Sequence, residues 1–388
     1  MSRPPTEATR LIRAGAGPAK LARTVGPPIQ KGSTVLLADA ASLYDTGQPT
    51  YGRGGLGTQE TLISALVELE GASAVRLFPS GLAAMTGAML AVLKTGDEVL
   101  VTDAAYKPTR RFCDHVLARF GVGVRFYRPR TTPDDLMAMT GPSTRLIVLE
   151  SPGSLTFEVQ DAPAIAALAR ARGILSLMDN TWAAGLYFKP LAHGVDISVQ
   201  ALTKYVGGHS DVFMGSAAIG APALVEALDH AIWDFGWSVA PEDAYQMLRG
   251  LRTLVTRMAR HHQSAVTVAA WLAGQSRIDE VLYPALPGAS GHALWERDYT
   301  GAAGVFSVVF KPCAESSVHA FLDALKLFGL GFSWGGFESL ALNCDPQFEV
   351  RAEAPGLAGP VVRLNIGLED PDDLIADLGR GLAAMAAA

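Results

Sequence analysis

Seven short apolar runs, spaced by amphipathic stretches, constrain this 388-residue chain more than any other feature. They cover residues 75–78, 98–103, 124–127, 145–150, 174–179, 197–202 and 212–219. Helix-spaced apolar residues separate most of them, as at 109–120 and 162–171. Several runs, LIVLE and ILSLMD among them, are apolar at nearly every position rather than at every second one. Such a strand is covered on both faces, the pattern of a parallel sheet between helical layers. The expected class is α/β, with a mostly parallel seven-stranded sheet flanked by helices.

The ends of the chain read differently. From about Glu242 a helical pattern runs to Gly274, with a short break near Gly250. Fewer strands follow, at 305–311 and 361–367, with helices at 316–328 and 372–385. This predicts a smaller C-terminal α+β domain. Residues 1–55 hold Pro4, Pro5, Pro18, Pro27, Pro28 and Pro49 among many glycines and show no strong periodicity. Such a segment cannot build its own core, so it is either disordered or an extended arm packed on something else. The expected division is an arm over 1–55, an α/β domain over 56–245 and an α+β domain over 246–388.

Composition removes several function classes. A hydrophobic share of 49% against 18% charged supplies a sizeable core. A net charge of −6 without any Lys/Arg run argues against nucleic acid as a partner. The longest apolar stretch, 82–93, is too short to span a bilayer and is interrupted by Gly87. The N-terminus has no signal-peptide apolar region, so no membrane partner and a cytoplasmic location are expected. Cys113, Cys313 and Cys344 form no CxxC pair and read as small apolar side chains in a reducing compartment. HExxH and GxSxG do not occur, which removes zincins and ordinary serine hydrolases. His261 and His262 are adjacent on a helix and point to different faces, so no metal site is expected.

The chemistry gathers at strand ends. Asp179 ends the run ILSLMD, where parallel sheets bind ligands, and is either a helix cap or a carboxylate partnered with a cation. Lys204 follows the end of the next run, 25 residues later. Alone it would be a surface charge. Paired with Asp179 it fits pyridoxal 5'-phosphate (PLP), which needs a lysine amine to bond its aldehyde and an acid beside its pyridine nitrogen. A lysine near other positive charge and away from water has a lowered pKa and can act as nucleophile and base. Ser80 and Gly81 open the helical stretch before Lys94, and free N–H groups at a helix start bind phosphate. Gly52, Gly54 and Gly57 match GxGxxG, but no strand precedes them, so a dinucleotide site is rejected. Tyr51 and Arg53 in the same segment suit a phosphate dianion better. Arg363 lies inside an apolar run and needs either a structural ion pair or a substrate carboxylate. Phe332–Gly336 is an aromatic loop whose glycines permit close backbone approach. His209, near Lys204, reads first as structural.

Ten ordered motifs carry a resemblance from about Thr46 to the C-terminus. They are YGRGG, the Ser80–Gly81 turn, TDAAY, ESPGSLTFEV, DNTWAAG, LTKYVGGHSD, RGLRTL, YPALPG, SWGGFESL and RLNIGLEDPDDLIADL. Together they resemble the Cys/Met-metabolism PLP-dependent enzymes of fold type I, and within them the cystathionine β-lyase branch. The resemblance implies an aspartate aminotransferase-type fold and PLP as cofactor. Lys204 would bond PLP and shuttle protons, Asp179 would pair with the pyridine nitrogen, and Tyr106 would stack on the ring. Ser80, the N–H groups of Gly81 and Leu82, and the Thr203 hydroxyl would hold the phosphate. Tyr51 and Arg53 would reach the phosphate of a neighbouring subunit in a tetramer built as a dimer of catalytic dimers. Tyr51 is counted with Lys204 and Tyr106 in the implied catalytic set. Arg363 would bind the substrate α-carboxylate with support from Ser333, and Trp334 would border the distal pocket.

Two positions depart from the family pattern. Many members carry Ser three residues before the lysine, where this chain has Ala201, and γ-lyases and γ-synthases usually read ESPTNP, where this chain has ESPGSL with Ser154. ESPGSL and SWGG both point to β-elimination of cystathionine to homocysteine, pyruvate and ammonia. The alternatives are a broader C–S lyase such as a cysteine desulfhydrase, a cystathionine γ-lyase, and a non-catalytic PLP-binding protein.

Overall fold

The structure, a computed structural model, describes residues 5–13, 24–45 and 47–387. Pro4, Pro18 and Thr46 lie outside the described residues. All seven expected runs form strands: β1 (Ala74–Phe78), β2 (Glu98–Thr102), β3 (Gly123–Tyr127), β4 (Thr144–Glu150), β5 (Leu175–Asp179), β6 (Ile197–Gln200) and β7 (Gly215–Ile219). They make one sheet in the order β1-β7-β6-β5-β4-β2-β3. Only β7 runs against its neighbours β1 and β6; the remaining pairs are parallel.

The unbroken apolar runs behave as expected. Along β4, Ile147 and Leu149 enter one apolar cluster while Leu146 and Val148 enter another. Successive side chains of a strand point to opposite faces, so both faces are covered. All four are at most 1% exposed, and each contributes about 1.5–3 kcal/mol by burial.

The second sheet holds β8 (Ile278–Leu282), β9 (Val305–Phe310), β10 (Gly329–Leu330), β11 (Leu340–Asn343) and β12 (Val361–Asn365), in the order β10-β11-β12-β9-β8. The sequence indicated β9 and β12 only. Asp279 and Glu280 interrupt the apolar run of β8, and β10 is an exposed two-residue edge. Neither carries a strand pattern on its own.

Two expectations are corrected. The irregular arm contains a short helix, Glu7–Ile12, which buries Leu11 and places Glu7 2.5 Å from Lys189. The helix over Pro241–Ala273 is continuous for 33 residues, with no break at Gly250. Gly250 serves close packing instead: a Cβ there would lie 2.3 Å from the carbonyl oxygens of Val206 and Gly207. Among the described residues no helix is long and apolar enough to cross a membrane.

Helix propensity alone favours Ala over Gly by about 1 kcal/mol. The backbone clash outweighs it, so Gly250→Ala is expected to destabilise the protein by about 1–3 kcal/mol. The check is the thermal unfolding midpoint; an unchanged or raised value would contradict the close approach.

Candidate active site

Asp179 and Lys204 follow neighbouring strands. Asp179 closes β5 and pairs in register with Val199 on β6. After β6 the chain turns at once, with Lys204 N–H donating to Ala201 O at 3.0 Å and Gly207 N–H to Leu202 O at 2.8 Å. The run read as a strand to residue 202 therefore stops at Gln200, and Lys204 sits on a tight turn. Its Nζ donates to Ser333 Oγ at 2.8 Å and lies 5.4 Å from the centre of the Trp334 ring. Gly335, at φ +83°, passes so close that a Cβ would lie 3.1 Å from Lys204 Cβ. The aromatic loop is thus pressed directly on the lysine.

Burial and the nearby Arg363 guanidinium push the Lys204 amine down to about 8, against a smaller upward pull from Asp179. A burial-depressed ammonium gives a neutral, nucleophilic amine close to neutral pH. Asp179 Oδ1 accepts the Thr181 N–H at 3.0 Å and the Thr181 hydroxyl at 2.5 Å. Oδ2 takes no hydrogen bond from any described residue. One oxygen therefore caps the following turn, and the other takes no hydrogen bond from the described residues. Burial raises its pKa above the ordinary aspartate value.

Ser80 caps the helix Gly81–Val92, its hydroxyl accepting Ala83 N–H at 3.1 Å. The N–H groups of Gly81 and Leu82 open that helix with no acceptor among the described residues. A Cβ on Gly81 would lie 2.4 Å from Ala201 Cβ, and one on Gly215 would lie 2.3 Å from Ser80 O. The helix start, the Lys204 turn and β7 therefore meet at a cradle that any larger residue would close. Thr203 borders it. Its hydroxyl donates to Met214 O at 3.1 Å and accepts Met214 N–H at 2.9 Å. The same carbonyl also takes Thr203 N–H, so the hydroxyl proton can turn to an anion without leaving that carbonyl bare.

Arg363 stands on β12 and is 8% exposed. It donates to the carbonyls of Phe332 and Ser333, both at 3.0 Å, and meets no carboxylate among the described residues. The structural ion pair is therefore absent there, and a buried guanidinium without a counter-ion is a ready carboxylate site. Tyr106 follows β2 with its ring half exposed; burial, Glu150 and Asp179 raise its pKa, so the phenol stays protonated.

Other residues fall elsewhere. His209 is exposed, its Nδ1 2.7 Å from Gly207 O. Tyr51 and Arg53 make no contact with Lys204, Asp179 or Arg363 within this chain. The Arg53 guanidinium lies 4.4 Å over the Trp233 ring and donates to Trp233 O at 2.9 Å.

Three groups escaped the sequence reading. Glu150 ends β4 opposite Asp179, and burial together with Asp179 pushes it up to about 8. An acidic residue ending an apolar strand was its visible signal. Asn365, two residues beyond Arg363, accepts Gly335 N–H at 3.0 Å and donates to Glu338 O at 2.8 Å, so it braces the aromatic loop. Arg257 lies under the Lys204 turn, donating to Gly250 O at 2.8 Å and Val206 O at 3.3 Å. Nothing local in sequence sets it apart from the other arginines of its helix.

Comparison with known proteins agrees with this geometry. The family described as Cys/Met metabolism PLP-dependent enzyme matches residues 8–383. A Rhizobium johnstonii protein is 46% identical over 98% of this chain and 96% of its own length. The cystathionine beta-lyase of Escherichia coli is 41% identical over 97% of this chain and 98% of its own. The crystal structure of cystathionine gamma synthase from Xanthomonas oryzae pv. oryzae superposes with a TM-score of 0.93 at 31% identity, over 99% of this chain and 100% of that one. With a buried lysine near an acid and near an arginine that meets no carboxylate among the described residues, the chain belongs to the Cys/Met-metabolism family of PLP-dependent enzymes.

Proposed function

We propose that this enzyme is a carbon–sulfur β-lyase that cleaves L-cystathionine to homocysteine, pyruvate and ammonia. One observation carries the site: the Lys204 amine lies within electrostatic reach of both Asp179 and Arg363, and Arg363 has no acidic partner among the described residues. Ser154 in ESPGSL and the SWGG loop favour β- over γ-elimination, and the name of the Escherichia coli relative agrees.

The residues fit the cofactor. Gly81 and Leu82 N–H, with Ser80 and Thr203, would hold the phosphate in the cradle closed by Ala201 and Gly215. Asp179 Oδ2 would face the pyridine nitrogen, and Tyr106 would cover the ring. PLP supplies the electron sink that stabilises the carbanion left when the Cα–H bond breaks. Arg363 holds the α-carboxylate and so orients that bond. Lys204 Nζ, steered by the Ser333 hydroxyl, takes the Cα proton. The Cβ–S bond then breaks, and Lys204 or the Tyr106 phenol protonates the sulfur to release the thiol. One water hydrolyses the remaining three-carbon enamine to pyruvate and ammonia. Trp334, tilted against Tyr205 with ring centres 5.5 Å apart, borders the space for the departing half.

Tyr51 and Arg53 would serve the phosphate of a second copy, in a tetramer made of two catalytic dimers. The arm supports this reading, since Val25, Leu36 and Tyr44 are 81%, 94% and 90% exposed in the single chain. Apolar surface of this kind is normally covered by a partner. The division into 1–55, 56–245 and 246–388 separates the two sheets, with its last boundary inside the helix Pro241–Ala273. The three free thiols fit a reducing, cytoplasmic compartment.

Three outcomes are expected. Purified enzyme forms pyruvate from L-cystathionine, and Lys204→Ala abolishes both this activity and the visible PLP band; 2-oxobutyrate as the main keto acid would overturn the β-lyase reading. In cofactor-free protein the neutral amine of Lys204 grows as pH rises through about 8. Acylation of Lys204, followed by mass spectrometry, should therefore have its midpoint there, and Arg363→Met should raise it by removing a neighbouring positive charge. Finally, mixing inactive Lys204→Ala chains with Arg53→Ala chains under conditions of subunit exchange should restore activity. Mixtures that stay inactive would show that each site is complete within one chain.

A further inference from the structure

Glu150 carries none of the roles assigned above, yet it joins several of the groups that do. Strands β4 and β5 are in register so that Glu150 stands opposite Asp179. Its two oxygens are both engaged. Oε2 accepts the main-chain N–H of Tyr106 at 2.7 Å, and Oε1 accepts the Ser154 hydroxyl. Tyr106 follows β2, the strand on the other side of β4. One carboxylate therefore ties together the ends of β2 and β4 beside the end of β5.

The tie extends into the second sheet. Ser154 N–H donates to Ala104 O at 2.8 Å, and Ser154 O accepts the Arg351 guanidinium at 2.7 Å. Arg351 also donates to the Thr156 hydroxyl at 2.8 Å. It comes from the segment between β11 and β12, and β12 carries Arg363.

Keeping a carboxylate here is costly. It is removed from water, stands beside a second carboxylate and forms no ion pair with any described residue. What it provides is a short, well-placed acceptor for a main-chain N–H at the base of a half-exposed ring. Tyr106 has no other anchor of this kind: no side chain caps the six-residue helix that follows it.

We propose that Glu150 is a positioning residue. By accepting the Tyr106 N–H it sets the Tyr106 ring over the cofactor site, and through Ser154 it couples that setting to the loop gripped by Arg351. The inference rests on Tyr106 covering the cofactor, as in the function proposed above.

The test is a double-mutant cycle on the holoenzyme between Glu150→Ala and Tyr106→Phe. Glu150→Ala should lower kcat about tenfold to a hundredfold, the scale of an ångström-level misplacement, and leave KM within about threefold. It should also change the visible circular dichroism of bound PLP, which reports the setting of the ring. In the Tyr106→Phe background the same substitution should cost kcat far less, because the group it positions is already impaired. Glu150→Asp keeps the carboxyl group and withdraws the acceptor by about one C–C bond (~1.5 Å). It should reproduce the kcat loss and the non-additivity, and it decides the matter if the alanine variant does not fold. Losses that multiply independently of Tyr106, or a wild-type dichroism and kcat in Glu150→Asp, would overturn the proposal. The dichroism is read without substrate, so a failure of the cystathionine assignment leaves that readout standing.

Discussion

Everything at this site depends on positive charge kept away from water without a matching anion. Arg363 and Arg257 are 8% and 6% exposed; among the described residues Arg363 hydrogen-bonds only to carbonyls, and Arg257 only to carbonyls and the Thr253 hydroxyl. Lys204 feels the Arg363 charge, with Asp179 as its negative neighbour. Leaving a buried cation uncompensated normally costs several kcal/mol. The fold tolerates this because both sheets are fixed by buried apolar strands, so the cations cannot swing out to solvent. A carboxylate or phosphate entering the site relieves a tension that folding has left in place.

The architecture was legible because it is written in side-chain burial. Unbroken runs such as Leu146–Leu149 can be satisfied only between two helical layers, so all seven strands of the large sheet could be read within a few residues. The second sheet was less legible for the converse reason: β8 mixes Asp279 and Glu280 into its run, and β10 buries nothing. Gly250 looked like a helix breaker because sequence shows propensity but not the carbonyls of Val206 and Gly207 that need its missing side chain.

Within the site, legibility followed chemistry rather than position. Lys204, Asp179 and Arg363 are charged residues at the ends of, or inside, apolar strands, a mismatch that shows in one dimension. The cradle at Gly81 is different. Ala201 looked like a bare departure from the serine of many relatives; the structure shows its methyl group filling the space beside a glycine that tolerates nothing larger. Asn365 and Arg257 act through loops far away in sequence, so their roles exist only after folding.

The uninterrupted helix over Pro241–Ala273 has a mechanical consequence. At about 1.5 Å per residue it is a rod of roughly 50 Å. It packs on the helix Gly57–Glu70 beside the large sheet, on β8 of the second sheet and on the C-terminal helix. It crosses the 245/246 boundary without a joint. The two lobes are consequently not separable modules. Cutting the chain there would strip the large lobe of a buttress whose Met247, Leu248, Leu251 and Leu254 are at most 1% exposed. Shuffling lobes between relatives would have to carry this rod along with one of them.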